Sequence, residues 1–277
     1  MDGGFQMIEK YIENKRGKIY YWISDEWVTD RATIFFFHGL TQNHTLFDNE
    51  MSYFEGKYNL IVWDAPMYGK SRPYNEFSFP NNSKDILQIM DDNKVKSIIA
   101  VGQSMGGSDI QSFMTNYPDK IMGFLLLGSI PHDNSYYTFF EKLWFRSVEK
   151  LYGIYPLDET KKYVAQNAVL TKIALKKMND MMSIDENKEE FGKTLQVKYH
   201  AFLDDRITVT YPCPGILMYG QYDTVGKVME YSKPWAEKTG LPVEIIPNAG
   251  HCANLDKPDY VNKLMEDFIE EKILKNR

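Results

Sequence analysis

A single serine stands between a hydrophobic run and a pair of glycines in the stretch AVGQSMGGSD, residues 100–109. A serine hydroxyl is a weak nucleophile, and it attacks a carbonyl only when a base takes its proton and a third group orients that base. The developing negative oxygen also needs hydrogen-bond donors. If Ser104 is a nucleophile, the sequence must therefore supply an acid, a base and two such donors elsewhere.

The neighbours of Ser104 favour the nucleophile. Gly102, Ser104 and Gly106 fit the pattern G-x-S-x-G, the nucleophile elbow, which requires a strand before the serine and a helix after it. The flanking residues predict both elements, and small residues two positions to either side leave room for a strained turn. The backbone N–H of Met105 would then be one oxyanion donor. The alternative is a structural serine in an ordinary turn.

The remaining parts follow other predicted strands. A buried strand ends at His38-Gly39-Leu40, and the N–H of Leu40 could be the second oxyanion donor. Asp223 follows the strand GILMYG, and His251 follows the strand VEIIP. The carboxyl ends of parallel strands meet at one sheet edge, where ligand sites of α/β proteins form. We therefore expect His251 to act as general base and Asp223 to orient it.

Each assignment has an alternative. Asp223 could instead cap the helix that follows it, and a loop histidine is usually only solvated. His38 could compete as the base, although a histidine in a tight loop is more often a hydrogen-bonded structural group. Asp109 and Asp133 are weaker candidates for the acid. Cys252 follows the proposed base but lacks an elbow, so a cysteine nucleophile is disfavoured.

The elements that must position these residues alternate between strand and helix. Two half-buried antiparallel strands are predicted over 7–14 and 18–24, with a turn at Arg16-Gly17. Continuous apolar runs are typical of strands buried on both faces, and their alternation with helices predicts a mainly parallel sheet covered on both sides. The predicted buried strands are 32–39, 58–66, 95–104, 121–129, 215–223 and 242–251, and the predicted helices are 80–93, 106–118 and 259–276.

Helical periodicity dominates residues 131–208, where no core strand is predicted. The segments YYTFFEKLWFRSVEKLYG and DETKKYVAQNAVLTKIALKKMNDMM each predict one amphipathic helix. We therefore expect an α/β core formed by residues 1–130 and 209–277 with an inserted helical cap over 131–208. The aromatic residues of 134–145 either line a pocket or pack the cap on the sheet, and their spacing favours packing. The helix over 80–93 has Asn82 or Ser83 as a plausible N-cap.

Five segments together resemble the α/β-hydrolase fold family: FFFHGLTQN, VWDAPMYGKS, VGQSMGG, LMYGQYD and PNAGHCANLDKPDYVNKLMEDFI. The similarity covers residues 8–274 apart from the insertion, and it implies an eight-stranded sheet with a helical cap after the sixth strand. It places the family's nucleophile, acid, base and two oxyanion donors at Ser104, Asp223, His251, Leu40 and Met105. Where the family often has a glutamate five residues after the histidine, this chain has Asp256, which we interpret as structural, like Asp64.

The composition excludes several classes of function. The chain has 277 residues and a net charge of −6, with no basic block of the kind that binds nucleic acid. It has no run of 18 apolar residues and no apolar segment of signal-peptide length near its start, so we expect no membrane span and a cytoplasmic location. Cys213 and Cys252 do not make a disulfide framework. No metal-ligand spacing or phosphate loop occurs, so we expect no cofactor and no metal.

The sequence predicts a serine hydrolase that cleaves a small to medium carboxylic ester, thioester or lactone through an acyl-enzyme on Ser104. A serine at the elbow disfavours dehalogenases and epoxide hydrolases, which use aspartate there. Balanced charges in 131–208 disfavour an iminopeptidase, and HGLTQN lacks the further glycines of ring-cleavage C–C hydrolases. Hydrolysis of C–C or amide bonds by the same residues stays open. A non-catalytic ligand-binding protein and the oligomeric state also stay open.

Overall fold

The computed structural model describes residues 7–183 and 187–275 of the chain, with backbone alone for 149–153. Eight strands form one sheet: β1 (Met7–Asn14), β2 (Gly17–Ser24), β3 (Thr33–Phe37), β4 (Asn59–Trp63), β5 (Ile98–Gln103), β6 (Ile121–Leu127), β7 (Gly215–Gly220) and β8 (Val243–Ile246). Their order across the sheet is β1-β2-β4-β3-β5-β6-β7-β8. Pairing is antiparallel from β1 to β2 and from β2 to β4, and parallel elsewhere. This confirms the predicted mostly parallel eight-stranded sheet.

Helices cover both faces of the sheet. They are α1 (Asp48–Phe54), α2 (Phe79–Asp92), α3 (Met105–Asn116), α4 (Phe139–Ile154), α5 (Leu157–Ala168), α6 (Lys172–Met182), α7 (Lys188–Asp204), α8 (Val228–Thr239), α9 (Ala253–Asp256) and α10 (Pro258–Phe268), the last continuing into a π-helical turn over Ile269–Leu274. None of the helices in the described ranges is long and apolar enough to cross a bilayer.

The central strands are buried on both faces, which explains their continuous apolar sequence. In β3, Ile34 and Phe36 belong to the hydrophobic cluster that includes α1 and α10. Phe35 and Phe37 belong to the second cluster, which includes α2, α3 and α8. Successive side chains of a strand point to opposite faces, so one apolar run supplies both clusters.

Two predicted boundaries were wrong by a few residues. The side chain of Ser78, rather than of Asn82 or Ser83, caps α2 by accepting the N–H of Asn81. Asn82 and Ser83 are buried inside the helix. In the first hairpin Asn14 pairs with Gly17, so the turn residues are 15 and 16 and the glycine opens β2.

The single helix predicted over 158–182 is two helices, α5 and α6. Val169 is extended, and the side chain of Thr171 caps α6. The Asp256 carboxylate accepts the N–H of Leu170 at 2.9 Å and that of Thr171 at 2.8 Å. A residue of the distant α9 thus binds backbone groups that a continuous helix would bond internally.

The four helices α4 to α7 all lie between β6 and β7 along the chain. This is the position at which the insertion after the sixth strand was predicted. The division into a core and a cap over 131–208 stays a prediction. The insertion matters for the site because α4 to α7 contribute most of the apolar wall of the cavity described below.

Candidate active site

Ser104 occupies the sharp turn between β5 and α3. Its backbone has φ 53° and ψ −120°, a region that residues with a side chain rarely adopt. The turn is fixed through the backbone: the Ser104 N–H donates to the Leu127 carbonyl on β6 at 2.8 Å. The Ser104 carbonyl accepts the N–H of Gly107 at 2.9 Å and the hydroxyl of Ser129 at 3.0 Å.

The two glycines of the elbow have no room for a side chain. A Cβ at Gly106 would lie 2.0 Å from the carbonyl oxygen of Phe37, and one at Gly102 would lie 2.8 Å from the backbone nitrogen of Gly107. Both obstacles are backbone atoms of packed elements, so they cannot move aside cheaply. The two glycines therefore allow α3 to approach the end of β3, and the elbow lies at this approach.

His251 and Asp223 form a hydrogen-bonded pair beside the elbow. The His251 Nδ1 lies 2.9 Å from Asp223 Oδ2 and 3.1 Å from Oδ1, and both side chains are buried. The N-cap of α8 is Lys227, so Asp223 does not cap that helix. Because Nδ1 faces the carboxylate, Nε2 is the nitrogen left to exchange a proton in the cavity that His251 lines.

Three neighbouring elements fix the loop that carries His251. Gln103, at the end of β5, donates its side-chain amide to the His251 carbonyl at 3.3 Å. Gly128 has φ 57°, and a Cβ there would lie 3.1 Å from His251 Nδ1. The N–H of Cys252 donates to the Ala168 carbonyl at the end of α5 at 2.8 Å. The backbone beside the His251 ring is therefore bonded to β5 and to α5, and Gly128 leaves the space that the ring occupies.

The proposed oxyanion loop lies directly against the elbow. A Cβ at Gly39 would lie 2.8 Å from the Ser104 Cβ. Leu40 and Met105, the two predicted donors, line the same cavity as Ser104 and His251. Met105 is the first residue of α3, and the first N–H groups of a helix have no acceptor within it.

Gln42 was not singled out in the sequence, yet it connects the loops of the site. Its side-chain oxygen accepts the N–H of Gly39 at 2.7 Å, and its side-chain nitrogen donates to the Cys252 sulfur at 3.2 Å. The residue is buried. The loop bearing Leu40 is thus tied to the residue after His251. Only the polarity of Gln42 within HGLTQN could have signalled this role, because its partner lies 210 residues away.

His38 is engaged at both ring nitrogens. Nε2 accepts the N–H of Ala65 at 2.9 Å, and Nδ1 lies 2.8 Å from the Gly39 carbonyl oxygen, which requires the neutral tautomer with its proton on Nδ1. Burial lowers the pKa of His38 to about 4 and outweighs the opposing effect of the nearby Asp64. His38 therefore bonds backbone groups of its own loop and of the segment after β4, and it has no nitrogen left for Ser104.

The other candidates also have local partners. Asp109 is buried and accepts the side-chain amide of Asn82 at 2.6 Å, while Asp133 accepts the N–H of Ser135 at 2.8 Å and caps a short 3-10 turn. The buried Cys252 thiol is free, as is that of Cys213, and burial raises the pKa of the Cys252 thiol. None of these groups competes with Asp223 or Ser104 on geometric grounds.

The two carboxylates interpreted as structural bond mainly to backbone. Asp64 accepts the N–H of Lys70 at 2.7 Å and also contacts the backbone N–H and ring of His44. Asp256 accepts the N–H of Gly250 at 2.9 Å, in addition to its contacts with the α5–α6 connection. Both positions thus stabilise loops at the edge of the sheet that carries the site.

A cavity of about 310 Å³ opens on Ser104 and His251. Trp144 on α4 and Tyr163 on α5 also line it, and both are partly exposed. The remaining wall is largely apolar. Its described residues from α4 to α7 with apolar side chains are Phe145, Val164, Ala168, Met178, Phe191, Leu195 and Phe202.

The aromatic segment over 134–145 lies in several environments. Phe145 is buried and lines the cavity, and Trp144 lines it while 49% exposed. Phe139 and Phe140 are 75% and 78% exposed, so the expectation that the segment packs on the sheet was wrong for these two residues. Both lie in the first turn of α4, whose buried residues, among those with described side chains, are Phe145 and Val148.

Comparison with known proteins agrees with this fold. The profile of the alpha/beta hydrolase fold matches residues 32–258, and the chain belongs to this family. A 2-hydroxy-6-oxononadienedioate/2-hydroxy-6-oxononatrienedioate hydrolase of Escherichia coli is 23% identical over 224 residues, covering 78% of this chain and 77% of the relative. A pimeloyl-[acyl-carrier protein] methyl ester esterase of Wigglesworthia glossinidia brevipalpis is 25% identical over 254 residues, covering 87% and 94%.

Solved structures give the same result at lower identity. Est816, an N-acyl homoserine lactone degrading enzyme, superposes with a TM-score of 0.77 at 20% identity, covering 94% of this chain and all of that one. A thermophilic esterase from Thermogutta terrifontis has a TM-score of 0.75 at 16% identity, covering 96% and 98%. At these identities the likeness concerns the fold. Within the described residues, no cluster of three or more His, Cys, Asp or Glu side chains could hold a metal ion.

Proposed function

We propose that this protein is a serine hydrolase that cleaves a small to medium carboxylic ester, thioester or lactone through an acyl-enzyme on Ser104. The observation that carries the proposal is that His251, hydrogen-bonded to Asp223, lines one cavity with a serine on a strained elbow. The cavity of about 310 Å³ is near the lower end of the size range typical of small-molecule sites.

The proposed reaction has two halves. The Ser104 Oγ attacks the substrate carbonyl carbon while its proton passes to Nε2 of His251, and the N–H groups of Leu40 and Met105 stabilise the oxyanion. Collapse breaks the C–O bond, and the leaving alcohol takes the proton from His251. Water then attacks the acyl-enzyme through the same base, which releases the carboxylic acid and returns the proton to Ser104. Asp223 keeps the imidazole in the required tautomer throughout.

Hydrolysis of a C–C bond by the same residues is the second candidate. Similarity to the dienedioate hydrolase of E. coli favours it. At 23% identity, the reaction of that hydrolase is a property of the relative and not of this chain. The loop HGLTQN counts against it, because it lacks the further glycines expected of ring-cleavage enzymes. The names of the methyl ester esterase and of the lactone-degrading enzyme support the ester reaction instead.

A substrate panel separates these reactions. We expect the purified protein to hydrolyse p-nitrophenyl butyrate, a butyryl thioester and a γ-lactone with a higher kcat/KM than butyranilide or a β-diketone. The reason is that a phenolate, thiolate or alkoxide leaves more readily than an anilide or a carbanion. The measurement is the initial rate on each substrate at equal enzyme concentration. A β-diketone cleaved faster than every ester would favour the second candidate, and a folded protein inactive on all of them would contradict hydrolase function.

A further inference from the structure

The cavity at Ser104 has an uncharged wall. Of the residues that the structure describes, those lining it include no Asp, Glu, Lys or Arg. The polar groups there are hydroxyls, such as those of Thr41, Ser108 and Thr224, and the amides of Gln42 and Asn167. Such groups can bond a carbonyl or hydroxyl, but they do not neutralise an ion.

A buried carboxylate lies behind His251, outside the lining of the cavity. Asp223 is hydrogen-bonded to His251 Nδ1 and also accepts the N–H of Val225, and its negative charge acts on the adjoining apolar space. An anionic substrate group entering the same apolar space would meet this charge with no cation to offset it. Burying an ion without a partner is strongly unfavourable.

Two cations border a neighbouring recess rather than the cavity. Arg72 and Lys161 line a space of about 10 Å³ that shares Thr41, Gln42 and Phe191 with the cavity. That volume is no larger than a single water molecule requires, so a carboxylate does not fit beside them. The Arg72 Nε also donates to a backbone carbonyl, that of residue 67, at 2.9 Å.

We infer that the acyl part of the substrate is uncharged and largely apolar, and that α4 to α7 exclude acids bearing a second carboxylate. The inference rests on the proposed function, since it takes this cavity as the substrate site. It separates the chain from the E. coli relative, whose substrate name denotes a dicarboxylate. Similarity to that relative should therefore not be extended to its substrate.

Matched esters test the inference. We compare p-nitrophenyl hexanoate, mono-p-nitrophenyl adipate, its methyl ester and p-nitrophenyl 6-aminohexanoate, which are neutral, anionic, neutral and cationic at pH 7.5. The expected kcat/KM is at least about a hundredfold lower for each charged ester, because its charge loses hydration in the cavity without gaining a partner. The adipate methyl ester controls for length. Comparable kcat/KM on neutral and charged esters would overturn the inference while leaving hydrolase function intact.

Binding without turnover keeps the test independent of the proposed chemistry. With Ser104→Ala protein, the change in tryptophan fluorescence on adding methyl hexanoate or monomethyl adipate reports occupancy, since Trp144 lines the cavity. Tighter binding of the neutral ester supports the inference even if no ester is turned over, and equal binding overturns it. Asn167, exposed at the cavity, offers a matched pair: Asn167→Arg should strengthen monomethyl adipate binding relative to Asn167→Gln. Equal binding by these two variants would argue against charge as the determinant.

Discussion

Replacing Ser104 with alanine should lower kcat for p-nitrophenyl butyrate by about 10⁴- to 10⁶-fold, the loss typical of a missing triad nucleophile. The hydroxyl supplies the atom that bonds to the acyl carbon, and the described cavity holds no second serine on an elbow. The substitution should leave the fold intact, because the bonds that fix the turn use the backbone N–H and carbonyl of Ser104. Steady-state kinetics and a thermal melt on the same preparation check both expectations.

Ser108 provides the matched control for this substitution. It lies on α3 four residues after Ser104, lines the same cavity and is buried. Ser108→Ala removes a hydroxyl from the same wall without touching the elbow, so its kcat should stay within about tenfold of the wild-type value. Equal losses in the two variants would mean that Ser104 contributes to the cavity rather than to the chemistry.

Replacing Asp223 with asparagine should lower kcat by about 10⁴-fold. Asparagine has nearly the same shape, but it can present an N–H to Nδ1 of His251. The imidazole would then carry its proton on Nε2, the nitrogen that must accept the proton of Ser104. The effect should appear in kcat rather than in the melting temperature, and the pH dependence of kcat should change with it.

Asp256→Asn is the control for Asp223→Asn. Asp256 is also a buried carboxylate near His251, but it accepts backbone N–H groups of Gly250, Leu170 and Thr171. Its loss should destabilise the protein by about 1–3 kcal/mol while the folded fraction keeps most of its kcat. If Asp223→Asn lost stability and kept its kcat, Asp223 would be a structural acid and the assignment of the triad would be wrong.

The sheet, and the meeting of its strand ends at one edge, were predictable because both depend on local patterns. Continuous apolar runs marked the buried strands, and strand ends in parallel sheets meet at one edge, so the chain order of Ser104, Asp223 and His251 indicated one site. The glycines of the elbow were also predictable, since crowding at a strained turn needs no knowledge of distant contacts. The structure adds the particular obstacles, such as the Phe37 carbonyl beside Gly106.

Features that depend on distant partners were not predictable. The break between α5 and α6 rests on Asp256, 85 residues beyond Thr171, and helical periodicity continues across it. Gln42 connects two loops through Cys252, which a linear pattern does not reveal. The exposure of Phe139 and Phe140 likewise depends on where α4 meets the rest of the protein. Helical spacing predicts burial for every aromatic residue of α4, so it does not distinguish these two from the buried Phe145.

The most direct test of the account is the site of covalent labelling by a fluorophosphonate, which reacts with an activated serine and needs no knowledge of the substrate. We expect one adduct per chain, mapped by peptide mass spectrometry to Ser104. It should be absent in Ser104→Ala, strongly slowed in His251→Ala and retained in Ser108→Ala. A folded wild-type protein that stayed unlabelled would favour a non-catalytic ligand-binding member of the family, and an adduct on any residue other than Ser104 would contradict the proposed nucleophile.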